Sequence, residues 1–177
     1  PRYASVDCIR QMIDYISGKI STVVLVVNPT RDYVHKIIKT LQPSFLQFHG
    51  DETPKFCNQF DYPYIKAIRV SPDLNIERAI EHFNPKGGFL FDTWHPKKYG
   101  GTGGTFDWDV LPNELKAPKI LAGGLTSTNV GQAIKIARPD VVDVSGGVES
   151  VKGIKDERLI ANFVDSVGSA DMKINKK

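Results

Sequence analysis

The stretch KILAGGLTSTNVGQAIKIARPDVVDVSGG, residues 119–147, holds one complete repeat of the fold. Lys119–Ala122 is a short apolar run that ends in Gly123-Gly124. Val141–Val144 is a second run, and it ends in Ser145-Gly146-Gly147. Between them Val130, Ala133, Ile134 and Ala137 recur at spacings of three and four, one apolar face of a helix. Thr126-Ser127 supply capping oxygens ahead of that helix. Short continuous apolar runs suit parallel strands covered on both faces. The order strand, helix, strand is a βαβ unit.

The same pattern extends towards the N-terminus. Thr22–Val27, Phe45–Phe48, Tyr64–Ile68 and Gly88–Phe91 are further strand candidates. Helical stripes run through Val6, Ile9, Ile13 and Ile16, through Val34, Ile37, Ile38 and Leu41, and through Ile76, Ala79, Ile80 and Phe83. A last stripe, Leu159, Ile160, Phe163 and Val167, follows the final strand candidate. Thr30-Arg31-Asp32 marks another helix start. The chain therefore reads as a helix followed by six strand–helix units, an α/β fold with a parallel sheet. We expect a single domain over residues 1–168 and a fraying polar tail over residues 169–177. Periodicity alone leaves open whether the units close into a barrel or form an open, doubly wound sheet.

Composition narrows the partners. With 177 residues, 41% of them hydrophobic and 24% charged, the chain is long enough for one real core. The net charge of +3 comes from basic residues scattered among acidic ones, which argues against nucleic acid as a partner and allows a small anionic substrate. The longest apolar run, Val23–Val27, is far too short to span a membrane. Cys8 and Cys57 fall in helical stretches without a C-x-x-C pair, so both read as buried thiols in a reducing, cytoplasmic setting. The chain begins at Pro1, so the lack of a leader carries no weight. His35, His49, His82 and His95 are dispersed, without metal-ligand spacing. We expect no metal.

Polar and glycine residues gather just after the strand candidates, where both barrels and open α/β sheets bind ligands. Four ends share this character: His49-Gly50, Asp92-Thr93, Gly123-Gly124 and Asp143-Val144-Ser145-Gly146-Gly147. Glycine pairs ahead of helices let a backbone approach phosphate closely and present free N–H groups to it. We therefore take Gly123, Gly124, Gly146 and Gly147 as a candidate phosphate cradle, with turn glycines as the bland alternative. Asp92 follows Gly88-Phe89-Leu90-Phe91, and a carboxyl emerging from so apolar a strand is partly desolvated, which suits a general acid. A helix cap or an ion-paired aspartate is the alternative there. His49 is placed equally well for substrate contact or for a structural role. The segment Gly100-Gly101-Thr102-Gly103-Gly104-Thr105 lacks nucleotide-binding spacing and reads as a lid or a plain connection.

Taken together, these motifs resemble the phosphoribosylanthranilate isomerase family. Leu46-Gln47-Phe48-His49-Gly50-Asp51-Glu52 is similar to its fourth-strand signature. Phe91-Asp92-Thr93, then Gly100-Gly101-Thr102-Gly103 and Phe106-Asp107-Trp108, is similar to the sixth. Leu121-Ala122-Gly123-Gly124-Leu125 with Asn129-Val130 resembles the seventh. Asp143-Val144-Ser145-Gly146-Gly147-Val148-Glu149 with Gly153-Ile154-Lys155-Asp156 resembles the eighth. Pro1-Arg2-Tyr3 resembles the tripeptide after the second strand. The resemblance implies a TIM (β/α)8 barrel, of which this chain supplies the second helix through the eighth helix, six strands in all. It implies a cofactor-free Amadori rearrangement of a small phosphorylated substrate, in tryptophan biosynthesis, by a monomer or homodimer. It also implies roles: Asp92 as general acid, Arg2 as partner of the anthranilate carboxylate, His49 and Asp143 as cavity-lining polar residues. Gly123, Gly124, Gly146 and Gly147 become the phosphate cradle.

One part of the family pattern does not occur in these residues. The family's general base is a cysteine in a Lys-x-Cys-Gly motif on the first strand, and the matched motifs begin after the second. Neither Cys8 nor Cys57 stands at that position. We expect an N-terminal segment to precede Pro1 in the natural protein, and residues 1–177 alone to lack turnover. Two rival readings stand beside this one. The first is another phosphate-binding barrel enzyme, such as an indole- or thiamine-precursor synthase. The second is a non-catalytic barrel fragment that only binds a phosphorylated ligand.

Overall fold

The computed structural model describes residues 3–16, 18–96 and 103–174. Six strands form one sheet: β1 (Val23–Val26), β2 (Phe45–Phe48), β3 (Tyr64–Val70), β4 (Gly88–Thr93), β5 (Lys119–Leu121) and β6 (Val141–Val142). The helices are α1 (Val6–Ile16), α2 (Arg31–Leu41), α3 (Pro54–Asn58), α4 (Ile76–Ile80), α5 (Val130–Ala137) and α6 (Glu157–Ile174). Every neighbouring pair is parallel, and the strand order β1-β2-β3-β4-β5-β6 is the chain order. An open doubly wound sheet reverses its order at a switch point. No reversal occurs here, so the sheet is six strands' worth of a barrel wall, as the motifs lead one to expect.

Strand alternation divides the side chains between two faces. Leu46, Phe48, Ile68, Phe89, Phe91 and Leu121 point outwards and pack under the helices in two buried clusters. Ile65, Ala67, Leu90, Ile120 and Ala122 point inwards and form a third, smaller cluster. In the centre of the wall this inner face is dry, with Leu90 only 2% exposed. At the flanks it is open: Leu25 on β1 is 52% exposed and Val141 on β6 is 49% exposed. Each of these two strands is paired along one edge only.

Helix starts follow local chemistry. The Thr30 hydroxyl accepts from the Tyr33 amide at 3.3 Å and caps α2. Thr53 does the same for Phe56 at 3.2 Å, with Pro54 in the first turn of α3.

The structure corrects the sequence reading at several points. Thr126-Ser127 does not cap α5; a turn intervenes, in which the Asn129 side chain accepts from the Thr126 amide at 2.8 Å. Residues 169–174 are no fraying tail, because α6 runs to Ile174 and buries Ala170 against the core. Among the described residues no α-helix separates β4 from β5; a 3₁₀ turn at Trp108–Val110 stands there instead. A small antiparallel hairpin, β7 (Glu149–Val151) and β8 (Ile154–Lys155), follows β6 and was not anticipated. Cys57 is buried as expected, but Cys8 is only half-buried.

Candidate active site

Alternation along the strands brings the polar side chains together. Gln47 and His49 share the inner face at the end of β2, and Asp92 lies on the same face within β4. Asp143 directly follows β6, where its amide donates to the Leu121 carbonyl at 2.8 Å. All four line one cavity of about 1360 Å³, together with Gly123, Gly124, Gly146 and Gly147. Seven of the residues singled out from sequence thus meet in one place. Arg2 lies outside the described residues, as do Gly100, Gly101 and Thr102.

At its centre is a hydrogen-bonded row. Gln47 Nε2 lies 2.9 Å from His49 Nδ1, and His49 Nε2 lies 3.2 Å from Asp92 Oδ2. The other oxygen of Asp92 accepts from the Thr93 amide at 2.8 Å. Asp92 and His49 are each 6% exposed, so this row sits at the floor of the cavity, as the apolar strand before Asp92 foretold. Asp143 stands higher and faces the open space. Its carboxyl is raised above the ordinary value, first because the surrounding walls strip away hydration and then because Asp92 is near, while His49 and Lys155 oppose the rise. Asp143 is exposed through the cavity mouth, and the walls on its other sides remove part of its hydration.

The loop carrying His49 is fastened from below. Glu52 accepts from the Asn28 amide at 2.8 Å and from the Gly50 amide at 2.9 Å. Lys66 meets Glu52 at 3.0 Å and also donates to the Gly50 carbonyl at 2.8 Å. The Asp51 amide donates to the Asn28 side chain at 2.7 Å. At the rim, Arg69 pairs with Asp51.

The glycines let these loops nest. A Cβ on Gly123, whose φ is +85°, would lie 2.4 Å from Thr93 Oγ1 and 3.0 Å from Asp92 Oδ1. A Cβ on Gly147 would lie 2.0 Å from the Leu125 carbonyl oxygen. The small size of Gly123 and Gly147 is therefore required for these strand-end loops to pack. Thr93 Oγ1 also donates to the Gly104 carbonyl at 2.8 Å, which ties the end of the glycine-rich segment to β4.

Sequence reasoning missed Gln47 and the Lys66–Glu52 pair. Gln47 could have been found, since it and His49 are the two polar positions, two apart, of an otherwise apolar strand. Among the described residues no group of three or more His, Cys, Asp or Glu could hold a metal ion. No described helix is long and apolar enough to cross a membrane.

Comparison with known proteins agrees with this fold. The family model described as N-(5'phosphoribosyl)anthranilate (PRA) isomerase matches residues 4–166. An N-(5'-phosphoribosyl)anthranilate isomerase of Pseudomonas putida is 45% identical over 170 residues, covering 96% of this chain and 82% of its own length. Among solved structures, the phosphoribosyl anthranilate isomerase of Thermotoga maritima superposes with a TM-score of 0.82 at 31% identity, over 94% of this chain and 82% of that one. A phosphoribosyl anthranilate isomerase in complex with reduced 1-(o-carboxyphenylamino)-1-deoxyribulose 5-phosphate superposes with a TM-score of 0.79 at 29% identity, over 94% and 81% of the two chains. With its six sequential parallel strands and its cavity-floor aspartate, this chain belongs to the N-(5'-phosphoribosyl)anthranilate isomerase family.

Proposed function

We propose that the cavity carries out the isomerisation for which the family is named. N-(5'-phosphoribosyl)anthranilate becomes 1-(2-carboxyphenylamino)-1-deoxyribulose 5-phosphate, a step of tryptophan biosynthesis. Asp92 gives a proton to the furanose ring oxygen. The C1–O bond breaks with its electron pair passing to that oxygen, which leaves a Schiff base to the anthranilate nitrogen. A general base then takes the C2 proton, and the resulting enolamine tautomerises to the ketone. Atoms and electrons balance within the substrate, so the rearrangement uses no cofactor. The observation that carries this reading is Asp92, 6% exposed at the cavity floor and bonded to both His49 and the Thr93 amide.

Substrate binding is assigned to the loops above that floor. The backbone amides of Gly123, Gly124, Gly146 and Gly147 face the phosphate, which free N–H groups bind well. His49 and Asp143 contact the sugar. Arg2 takes the anthranilate carboxylate, for which a planar guanidinium is well shaped.

The base is a separate matter. Neither cysteine lines the cavity. Cys57 sits on α3 and its thiol is pushed up to about 12, chiefly by burial, so it is a poor proton acceptor. The acid half of the chemistry is present in these residues and the Lys-x-Cys-Gly motif is not. That observation favours a second reading for the 177-residue chain taken alone, namely ligand binding without turnover.

One pair of measurements tests both. Residues 1–177 are titrated with the reduced product analogue by calorimetry, then assayed with N-(5'-phosphoribosyl)anthranilate. Binding without turnover is expected. Turnover would assign the base to a residue of this chain, and a failure to bind would remove the ligand assignment.

A further inference from the structure

In the row Gln47–His49–Asp92 the tautomer of His49 depends on what its two neighbours offer. An imidazole ring bonded at both nitrogens can present its proton on either side, and the neighbours decide which. The atom of Gln47 facing the ring is Nε2, 2.9 Å from Nδ1. An amide nitrogen only donates, so Nδ1 accepts. The ring proton then sits on Nε2, which lies 3.2 Å from Asp92 Oδ2. The imidazole is left as a donor aimed at Oδ2 of the Asp92 carboxyl group. With the Thr93 amide on Oδ1 at 2.8 Å, each oxygen of Asp92 has one donor.

We propose that Gln47 is a positioning residue that fixes His49 in the Nε2–H tautomer and so orients a hydrogen-bond donor towards Asp92. This rests on the reading of Asp92 as the general acid and deepens it. A general acid ends its step as a carboxylate, so the state to be stabilised is the one after the proton has left. Two donors set in place beforehand meet that charge as it develops, without the site having to rearrange. The hydrogen bond of Gln47 is to His49 and not to Asp92, so it acts through the ring. It is buried at 8% exposure on the inner face of the sheet, with its amide turned to His49.

The test is long-range ¹H–¹⁵N NMR on the uniformly labelled 177-residue chain, with the His49 signals assigned by their loss in His49→Asn. The expected wild-type pattern is an unprotonated Nδ1 and a protonated Nε2. Gln47→Met removes the donor at nearly the same volume, and a mixture of the two tautomers is expected. Gln47→Glu offers only acceptor oxygens, and the pattern should reverse to Nδ1–H. A wild-type ring protonated at Nδ1 overturns the proposal whether or not the variants fold. So does an unchanged pattern in either folded variant. The measurement needs no turnover, so a chain that binds and does not react leaves this inference standing, whereas the assay of the preceding section judges the reaction itself.

Discussion

Lys66 and Glu52 meet 3.0 Å apart with their side chains 4% and 2% exposed, directly beneath the loop that carries His49. Taking two charges out of water is expensive, and the pair is sustained by further bonds to the Gly50 amide and carbonyl and the Asn28 amide. Breaking such a pair leaves one charge buried alone. Lys66→Met and Glu52→Gln should each lower the stability of the chain by about 3–5 kcal/mol. The double variant Lys66→Met/Glu52→Gln should lose clearly less than the sum. Urea unfolding of the four proteins as a mutant cycle measures this, and additive losses would show that the two side chains are not coupled.

Asp92→Asn keeps the shape of the acid and removes its proton. In a chain extended by design with a Lys-x-Cys-Gly strand, kcat should fall by about 10²–10⁴-fold. Affinity for the reduced product analogue should change little. Steady-state kinetics beside calorimetry separates the two effects, and retained turnover would remove Asp92 as the acid.

Loop nesting gives a graded prediction. Gly147→Ala puts a methyl carbon 2.0 Å from the Leu125 carbonyl oxygen, a backbone atom that yields poorly. Its cost should reach about 3 kcal/mol, as for overpacked sites. Gly18→Ala is the control: its φ of +72° strains an alanine but nothing lies within 4 Å. Strain alone should cost about 1 kcal/mol there. Equal thermal shifts for the two variants would mean that the Leu125 contact carries no constraint.

The raised carboxyl of Asp143 fixes a sign for pH dependence. In the folded chain it holds its proton to higher pH than in the unfolded chain, where the ordinary value is 3.8. Between the two values the folded state binds more protons, so stability falls as pH rises through that window and then levels. Its contribution is complete below the unfolded value and lost above the folded one. Asp143→Asn should therefore be more stable than the parent at neutral pH, with the difference closing in acid. Thermal melts across pH 3 to 8 read this directly, and a variant less stable at neutral pH would contradict it.

Sequence alone carried much of the architecture, for a physical reason. A strand covered on both faces is mostly apolar, so Phe45–Phe48 could be read to its last residue from Phe45, Leu46 and Phe48, although Gln47 interrupts the run. Tyr64–Val70 and Gly88–Thr93 run two residues further than the apolar runs suggest, because Arg69 and Asp92 continue the ladder, Arg69 while pairing with Asp51 and Asp92 while lining the cavity. The site itself was legible where it falls at strand ends. The buried pair was not, since a lysine within β3 and a glutamate in a loop each read as solvated until the fold sets them face to face. The hairpin after β6 hides behind short segments, with only Gly153 marking its turn at φ +91°. The continuation of α6 past Ser169 was masked by polar residues around a single buried alanine.

Cys57 has one more consequence. Thiol reagents attack the thiolate, and a sulfur that is 1% exposed and held near 12 offers almost none. Alkylation there must wait until α3 lifts from β2 and β3, so its rate measures the free energy of that local opening. Cys8, half-buried on α1, reacts under a looser gate. The chain thus carries its own pair of clocks, one for the fastened side of the barrel wall and one for the helix at its open flank.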